Sequence, residues 1–149
     1  MEKKFNVRVY GILINDQNLL LVSDELIKGI RFTKFPGGGL EWGEGTHDCL
    51  VREFMEELSQ PVEVLEHFYT TDYFQQSAFR ETDQLISIYY KVKLVGPQLF
   101  QAKTKPFDFP ENAGPQCEVP RWVNLSELNV EDFKWPVDRL VVGKLRELR

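Results

Sequence analysis

Between residues 36 and 45 the chain reads PGGGLEWGEG, which puts one proline and five of its ten glycines into one stretch. Glycine weakens a helix or strand through its backbone entropy, and proline removes a ladder donor. The run is therefore a shaped loop that divides the chain, and regular elements must end before it and restart after it. On its far side THDCLVREFMEEL keeps helical period to Leu58. Pro61 stops that helix, because the residue before a proline is pushed out of helical geometry. Thr46 is the expected N-cap, with Asp48 in the first turn, where negative charge suits the helix dipole.

Elsewhere the patterning predicts strands. Phe5 to Ile14 alternates apolar and polar, Asn15 to Asn18 is turn material, and Leu19 to Val22 is a short apolar run, together read as a hairpin. Val62 to Tyr69 and Gln84 to Val95 join the sheet, and the second carries Leu85, Ile88, Tyr90, Val92 and Leu94. Gly96 to Pro120 is proline-rich and expected to be a long irregular connection of the kind that forms binding loops. A short strand, Arg121 to Asn124, follows, then a helical turn at SELN. Pro136 opens a last helix with Leu140, Val141, Leu145 and Leu148 near one stripe.

A length of 149 residues supports one well-buried core, so a single domain over residues 1–149 is expected. With 42% hydrophobic residues, 28% charged residues and a net charge of -5, the chain describes a soluble protein whose own field repels long nucleic acid. A small anionic substrate remains compatible, because a metal ion can reverse the local field. No apolar run approaches the roughly 20 residues that span a bilayer, and no signal peptide is read, so the expected compartment is the cytoplasm. Cys49 and Cys117 form no CxxC pair, which leaves neither a disulfide framework nor a thiolate zinc site. His47 and His67 are too widely separated for a histidine metal motif and are read as surface or packing residues.

The helix after the loop poses a problem of charge. Projected at about 100° per residue, Leu50, Val51, Phe54, Met55 and Leu58 share one face. Glu53, Glu56 and Glu57 crowd a neighbouring face at its border. Like charges at these spacings repel by a few tenths of a kcal/mol each. A cation is the natural compensation, and oxygen ligands without histidine or cysteine favour a hard ion such as Mg²⁺. The loop adds to this, since glycines let backbone carbonyls approach a metal and amides, as at Gly38 and Gly39, face phosphate oxygens. Against it stands the reading of three glutamates as a solvated acidic face.

In order and spacing these residues resemble the Nudix hydrolase signature, G-x5-E-x7-R-E-U-x-E-E-x-G-U with U a bulky aliphatic residue. Gly38 and Glu44 take the first positions, Arg52 and Glu53 the next pair, Phe54 the U position, and Glu56 and Glu57 the acidic pair. Phe35-Pro36-Gly37 and the late segment Arg121 to Leu128 also look like the family. Ser59 and Gln60 depart from it, standing where a glycine and an aliphatic residue are usual, and Phe54 is aromatic where an aliphatic is commoner. If position 59 is left-handed, serine costs roughly 1–2 kcal/mol that glycine would not.

The resemblance implies an α+β fold, an α/β/α sandwich with a mixed sheet between helices. It implies hydrolysis of a diphosphate linkage in a nucleoside diphosphate derivative (a nucleoside triphosphate, a nucleotide sugar or ADP-ribose) by metal-activated water. Glu53, Glu56 and Glu57 would hold Mg²⁺, with Mn²⁺ its substitute and the Gly37 carbonyl a further ligand. Glu44 and Arg52 would pair across loop and helix and orient Glu53. Glu118 is the first choice for a further ligand or base from a distant loop, and Glu111 the second. Lys28, Arg31 and Lys34 are read either as phosphate contacts or as a basic surface strand. Phe35, Tyr73, Phe74, Phe79 and Trp135 are the aromatic rings from which a base platform would come. The partner is then a small nucleotide, with no membrane, for a monomer or homodimer. The rival reading is a catalytically silent nucleotide sensor on the same fold.

Overall fold

The computed structural model describes residues 2–148. Its elements run β1 (Lys4–Leu13), β2 (Leu19–Ile27), β3 (Ile30–Lys34), β4 (Gly37–Gly39), α1 (Thr46–Leu58), β5 (Val62–Thr70), β6 (Asp83–Leu94), β7 (Gln116–Asn124) and α2 (Pro136–Glu147). Short 3-10 turns at Leu125–Glu127 and Val130–Asp132 precede α2. The fold class is α+β as predicted, but the strands form two sheets rather than one, in the orders β4-β1-β6-β5 and β3-β2-β7. Pro36 accounts for the break: it offers no amide proton to continue the ladder from β3, and Gly37 at φ 147° opens a new pairing with β1. The chain accordingly groups into two compact units, Met1–Ile12 with Gly37–Leu99, and Leu13–Pro36 with Phe100–Arg149.

In the first unit β4 runs antiparallel to β1, with Gly37 opposite Tyr10 and Gly39 opposite Arg8. A methyl group at Gly37 would strike the Val9 carbonyl and stand 2.7 Å from the Tyr10 Cα, so no side chain fits there. Helix α1 buries Cys49, Leu50 and Phe54, and each large apolar side chain so buried contributes about 1.5–3 kcal/mol. Phe54 occupies the space left by Gly11 of β1, where a methyl would come within 2.8 Å of the ring. The aromatic at the usual aliphatic position is thus matched by a glycine beneath it.

The helix ends as the departures from the signature require. Ser59 is left-handed at φ 52°, ψ 36°, its N–H donates to the Met55 carbonyl at 3.0 Å, and the Gln60 N–H donates to the Phe54 carbonyl at 3.3 Å. Replacing Ser59 with glycine is expected to raise stability by about 1 kcal/mol in urea denaturation, because it relieves the Cβ clash at a net entropic cost. An unchanged or lower midpoint would show that the serine bears no strain. Gln60 is fully buried, and its amide nitrogen donates to the Pro61 carbonyl at 3.0 Å and the Pro97 carbonyl at 3.3 Å while its oxygen accepts the Leu99 N–H at 2.7 Å. An aliphatic residue here would take these bonds from the Pro97 carbonyl and the Leu99 N–H, while the Pro61 carbonyl keeps the Val95 N–H at 3.0 Å.

In the second unit β2 lies between β3 and β7. It is longer than the expected Leu19 to Val22, and its hairpin with β1 shrinks to the single bridge Ile14↔Leu20, because its backbone groups are instead satisfied on both sides by β3 and β7. Lys28 at φ 52° and Gly29 at φ 79° make the two-residue turn from β2 into β3, the turn whose twist suits a hairpin. Strand β7 likewise begins at Gln116, inside the expected loop, since β2 offers partners down to Ile27↔Gln116. Helix α2 starts at Pro136 as predicted and buries Val137, Val141, Val142 and Leu145. Leu148, expected on that stripe, stands 70% exposed beyond the helix end. Phe35 is fully buried and stacks on Phe133 at 5.6 Å, while Trp135 packs on Phe32 at 5.1 Å. Phe35 is therefore core rather than a base platform.

Candidate functional site

Within the first unit, the loop after β4 and the first turns of α1 converge on Arg52. Its Nε donates to Glu44 Oε2 at 3.0 Å and its Nη2 to Glu44 Oε1 at 2.7 Å, a two-pronged pair. Nη2 also donates to the Gly39 carbonyl at 3.0 Å. Nη1 faces the other way and donates to Glu53 Oε1 at 3.1 Å and Glu56 Oε2 at 3.2 Å, with Glu41 Oε1 at 3.7 Å. The predicted pairing of Glu44 with Arg52 is thus present, and Arg52 also reaches Glu53. Glu41 joins this group without having been singled out in the sequence. It lies in the loop before α1, and only the loop's return brings it to Arg52.

Glu44 also accepts the Glu41 N–H at 2.9 Å. The hydrogen bond from Arg52, followed by that from Glu41, holds its carboxyl down at about 2 from an ordinary 4.5. Arg52 is correspondingly pushed further above its already high range, chiefly by its hydrogen bond to Glu44. Beside them Cys49 is buried, and burial, then the neighbouring Glu44, push its thiol up to about 12. It stays neutral, facing the Gly39 carbonyl at 3.5 Å, and is no nucleophile at neutral pH.

A depressed carboxylate contributes stability in full above its unfolded value and loses it as pH falls through the folded value. The stability difference between the wild-type protein and Glu44→Gln should therefore be constant above pH 4.5 and shrink between 4.5 and about 2. Denaturation midpoints measured at a series of pH values check this, and a difference that does not change with pH would contradict the pair's role.

Glu53 is placed by the loop as well as by the helix. A methyl at Gly38 would stand 2.5–2.6 Å from its two carboxylate oxygens, so the glycine forms the cradle in which that carboxylate lies. Its side chain is 14% exposed, whereas that of Glu56 is 58% exposed. Glu57 follows on the same helix, half-buried. The N-cap is Gly45 rather than Thr46: the Asp48 carboxylate accepts the Gly45 N–H at 3.3 Å, and the Thr46 hydroxyl instead meets the Tyr90 hydroxyl at 2.7 Å. His47 packs edge-on against Tyr90 at 4.7 Å, and His67 Nε2 meets the Thr70 hydroxyl at 2.7 Å; both are exposed, in keeping with the surface or packing roles expected of them.

Among the described residues no three His, Cys, Asp or Glu side chains gather closely enough to hold a metal ion. Arg52 Nη1 takes up one oxygen from Glu53 and one from Glu56. The residues nevertheless fit a hard divalent ion on two observations. The donor set is all oxygen, and a positively charged nitrogen already stands in for a cation between the two carboxylates.

The other predicted site residues belong to the second unit. Lys28 is exposed at the tip of the turn between β2 and β3. Arg31 lies over the Phe107 ring at 4.8 Å. Lys34 is buried, with its ammonium 3.2 Å from Glu25, and the Ser23 hydroxyl donates to that same carboxylate at 3.1 Å. Its charge is thereby engaged within the sheet. Glu118 is exposed on β7, directly across from Glu25. Glu111 is exposed in a turn.

Residues 4–142 match the family model described as the NUDIX domain. The chain is 26% identical over 148 residues to an 8-oxo-dGTP diphosphatase of Escherichia coli (strain K12), covering 98% of this chain and 99% of that one. Among solved structures it resembles the E. coli ORF135 protein, with a TM-score of 0.69 at 18% identity over 99% of this chain and 92% of that one. A NUDIX hydrolase from Nitrosomonas europaea gives the same TM-score and identity over 97% and 90% of the two chains.

Proposed function

We propose a function from one premise: this chain belongs to the NUDIX domain family. It is a Nudix pyrophosphohydrolase acting on nucleoside diphosphate derivatives. Our finer reading is an Mg²⁺-dependent enzyme whose substrate is a nucleoside triphosphate. The similarity to an 8-oxo-dGTP diphosphatase supports that choice ahead of a nucleotide sugar or ADP-ribose. The family match takes in residues of both units, and we read the chain as one functional domain.

The observation that carries the reading is Glu53, held in the Gly38 cradle and tied with Glu56 to one nitrogen of Arg52. Glu53, Glu56 and Glu57 would hold the ion, with the Gly37 carbonyl as a further oxygen. When bound, the ion supplies positive charge against developing phosphate charge and makes water a stronger nucleophile. The chain's own part is to fix the carboxylates. Arg52, anchored on Glu44 and the Gly39 carbonyl, fixes the Glu53 oxygen that it touches. A carboxylate must also take the proton from water, and we assign that role to Glu118 first and Glu111 second. Retention of every acidic position of the signature favours catalysis over a silent sensor.

The test is product release from nucleoside triphosphates, nucleotide sugars and ADP-ribose with and without Mg²⁺. Mg²⁺-dependent release of pyrophosphate from a triphosphate is expected. Turnover confined to a nucleotide sugar or ADP-ribose would overturn the substrate class, and tight binding without turnover would favour the sensor. No helix among the described residues is long and apolar enough to cross a membrane.

A further inference from the structure

Arg52 is held unequally on its two sides. Nε and Nη2 make four hydrogen bonds, two to Glu44, one to the Gly39 carbonyl and one to the Cys49 sulfur, and the side chain of Glu44 is only 16% exposed. Nη1 bridges Glu53 and Glu56. Of these two, Glu53 is confined by Gly38, whereas Glu56 stands largely in solvent with Arg52 at i,i+4. The arginine precedes the glutamate, the weaker order for such a pair on a helix. The guanidinium is thus anchored, and of the two carboxylates hydrogen-bonded to Nη1, Glu56 is the one with freedom to leave.

Resting on the metal-dependent reading above, we infer that Arg52 is the resident counter-ion of the glutamate face and that Glu56 is an exchanging ligand. Without metal, Glu56 neutralises Nη1 and relieves its repulsion with Glu53. With metal, Glu56 changes partner while Arg52 keeps Glu44 and the Gly39 carbonyl. Metal affinity therefore includes the cost of breaking the Arg52–Glu56 pair, and Arg52 competes with the ion it helps to position. A purely orienting Arg52 has the opposite consequence, because its loss would disorder Glu53 and weaken metal binding.

The sign of the change in affinity separates the two. Binding of Mn²⁺ alone, without nucleotide, is measured by electron paramagnetic resonance on the wild-type protein and on Arg52→Gln. The variant is expected to bind about three- to fivefold more tightly, the factor that an exposed ion pair amounts to, although it turns over more slowly. Equal or weaker binding by the variant, with Mn²⁺ bound by the wild-type protein, overturns the exchange and leaves the hydrolase reading standing. Absence of Mn²⁺ binding by the wild-type protein overturns both. Should Arg52→Gln fail to fold, guanidinium NMR of the wild-type protein decides the matter. On adding Mg²⁺ the Nη1 protons of Arg52 should exchange faster with water while its Nε proton stays protected. Protection of Nη1 that persists under saturating Mg²⁺ overturns the exchange.

Discussion

Glu53→Gln is expected to lower turnover at least about 100-fold, the scale of losing one preorganised electrostatic group at a reaction centre, while leaving the melting temperature nearly unchanged. The substitution removes one charge at almost constant shape. It leaves the Gly38 cradle filled, and Arg52 keeps its hydrogen bonds to Glu44, to the Gly39 carbonyl and to Glu56. Stability should barely move for that reason, and chemistry should suffer because the carboxylate most tightly placed by the loop no longer carries charge. Steady-state rates at saturating Mg²⁺, read beside a thermal melt of the same preparation, check both halves. Full activity in the variant would remove Glu53 from the reaction, and a collapsed melt would make its role structural.

The second large effect lies in the other unit and concerns stability. Asp24 is fully buried on β2. It accepts Arg121 Nε at 2.7 Å and Nη2 at 3.1 Å, the Thr33 hydroxyl at 2.7 Å and the Phe107 N–H at 3.0 Å. Arg121 is itself only 8% exposed. Asp24→Asn keeps the shape and removes the charge, leaving a buried guanidinium without its counter-ion. Such a loss costs about 3–5 kcal/mol, on the order of a 10 °C drop in melting temperature for a chain of this size. It should also free the Phe107 amide, which hydrogen exchange would register as lost protection. That amide is held at a residue with φ 53°, a conformation that a phenylalanine keeps only under constraint. Wild-type stability in Asp24→Asn would mean that the pair contributes nothing net.

The helix α1, its stop before Pro61, the strands β5 and β6, the start of α2 and the ordered acidic positions were all legible in the sequence. They depend on local rules: period, proline geometry and fixed spacing along one helix. Strand lengths in the second unit were not legible, because β2 and β7 extend as far as each finds a partner, and residues such as Glu25 and Glu118 carry no strand signal of their own. Lys34 illustrates the same limit. In sequence it is one of three basic residues before the loop, and only cross-strand pairing places Glu25 against it. The group around Asp24 joins β2, β3, β7 and Phe107, residues up to 97 positions apart, which no periodicity records.

Residue order alone determined the chemistry that this protein carries, because the family signature lies in one loop and one helix, where spacing in sequence is spacing in space. Tertiary structure alone decided how those charges are neutralised. The return of the loop brings Glu41, Glu44 and the Gly39 carbonyl onto a single guanidinium, and the missing side chain of Gly38 gives Glu53 its place. Electrostatic energy depends on distances through space, and those distances exist only once the chain has folded.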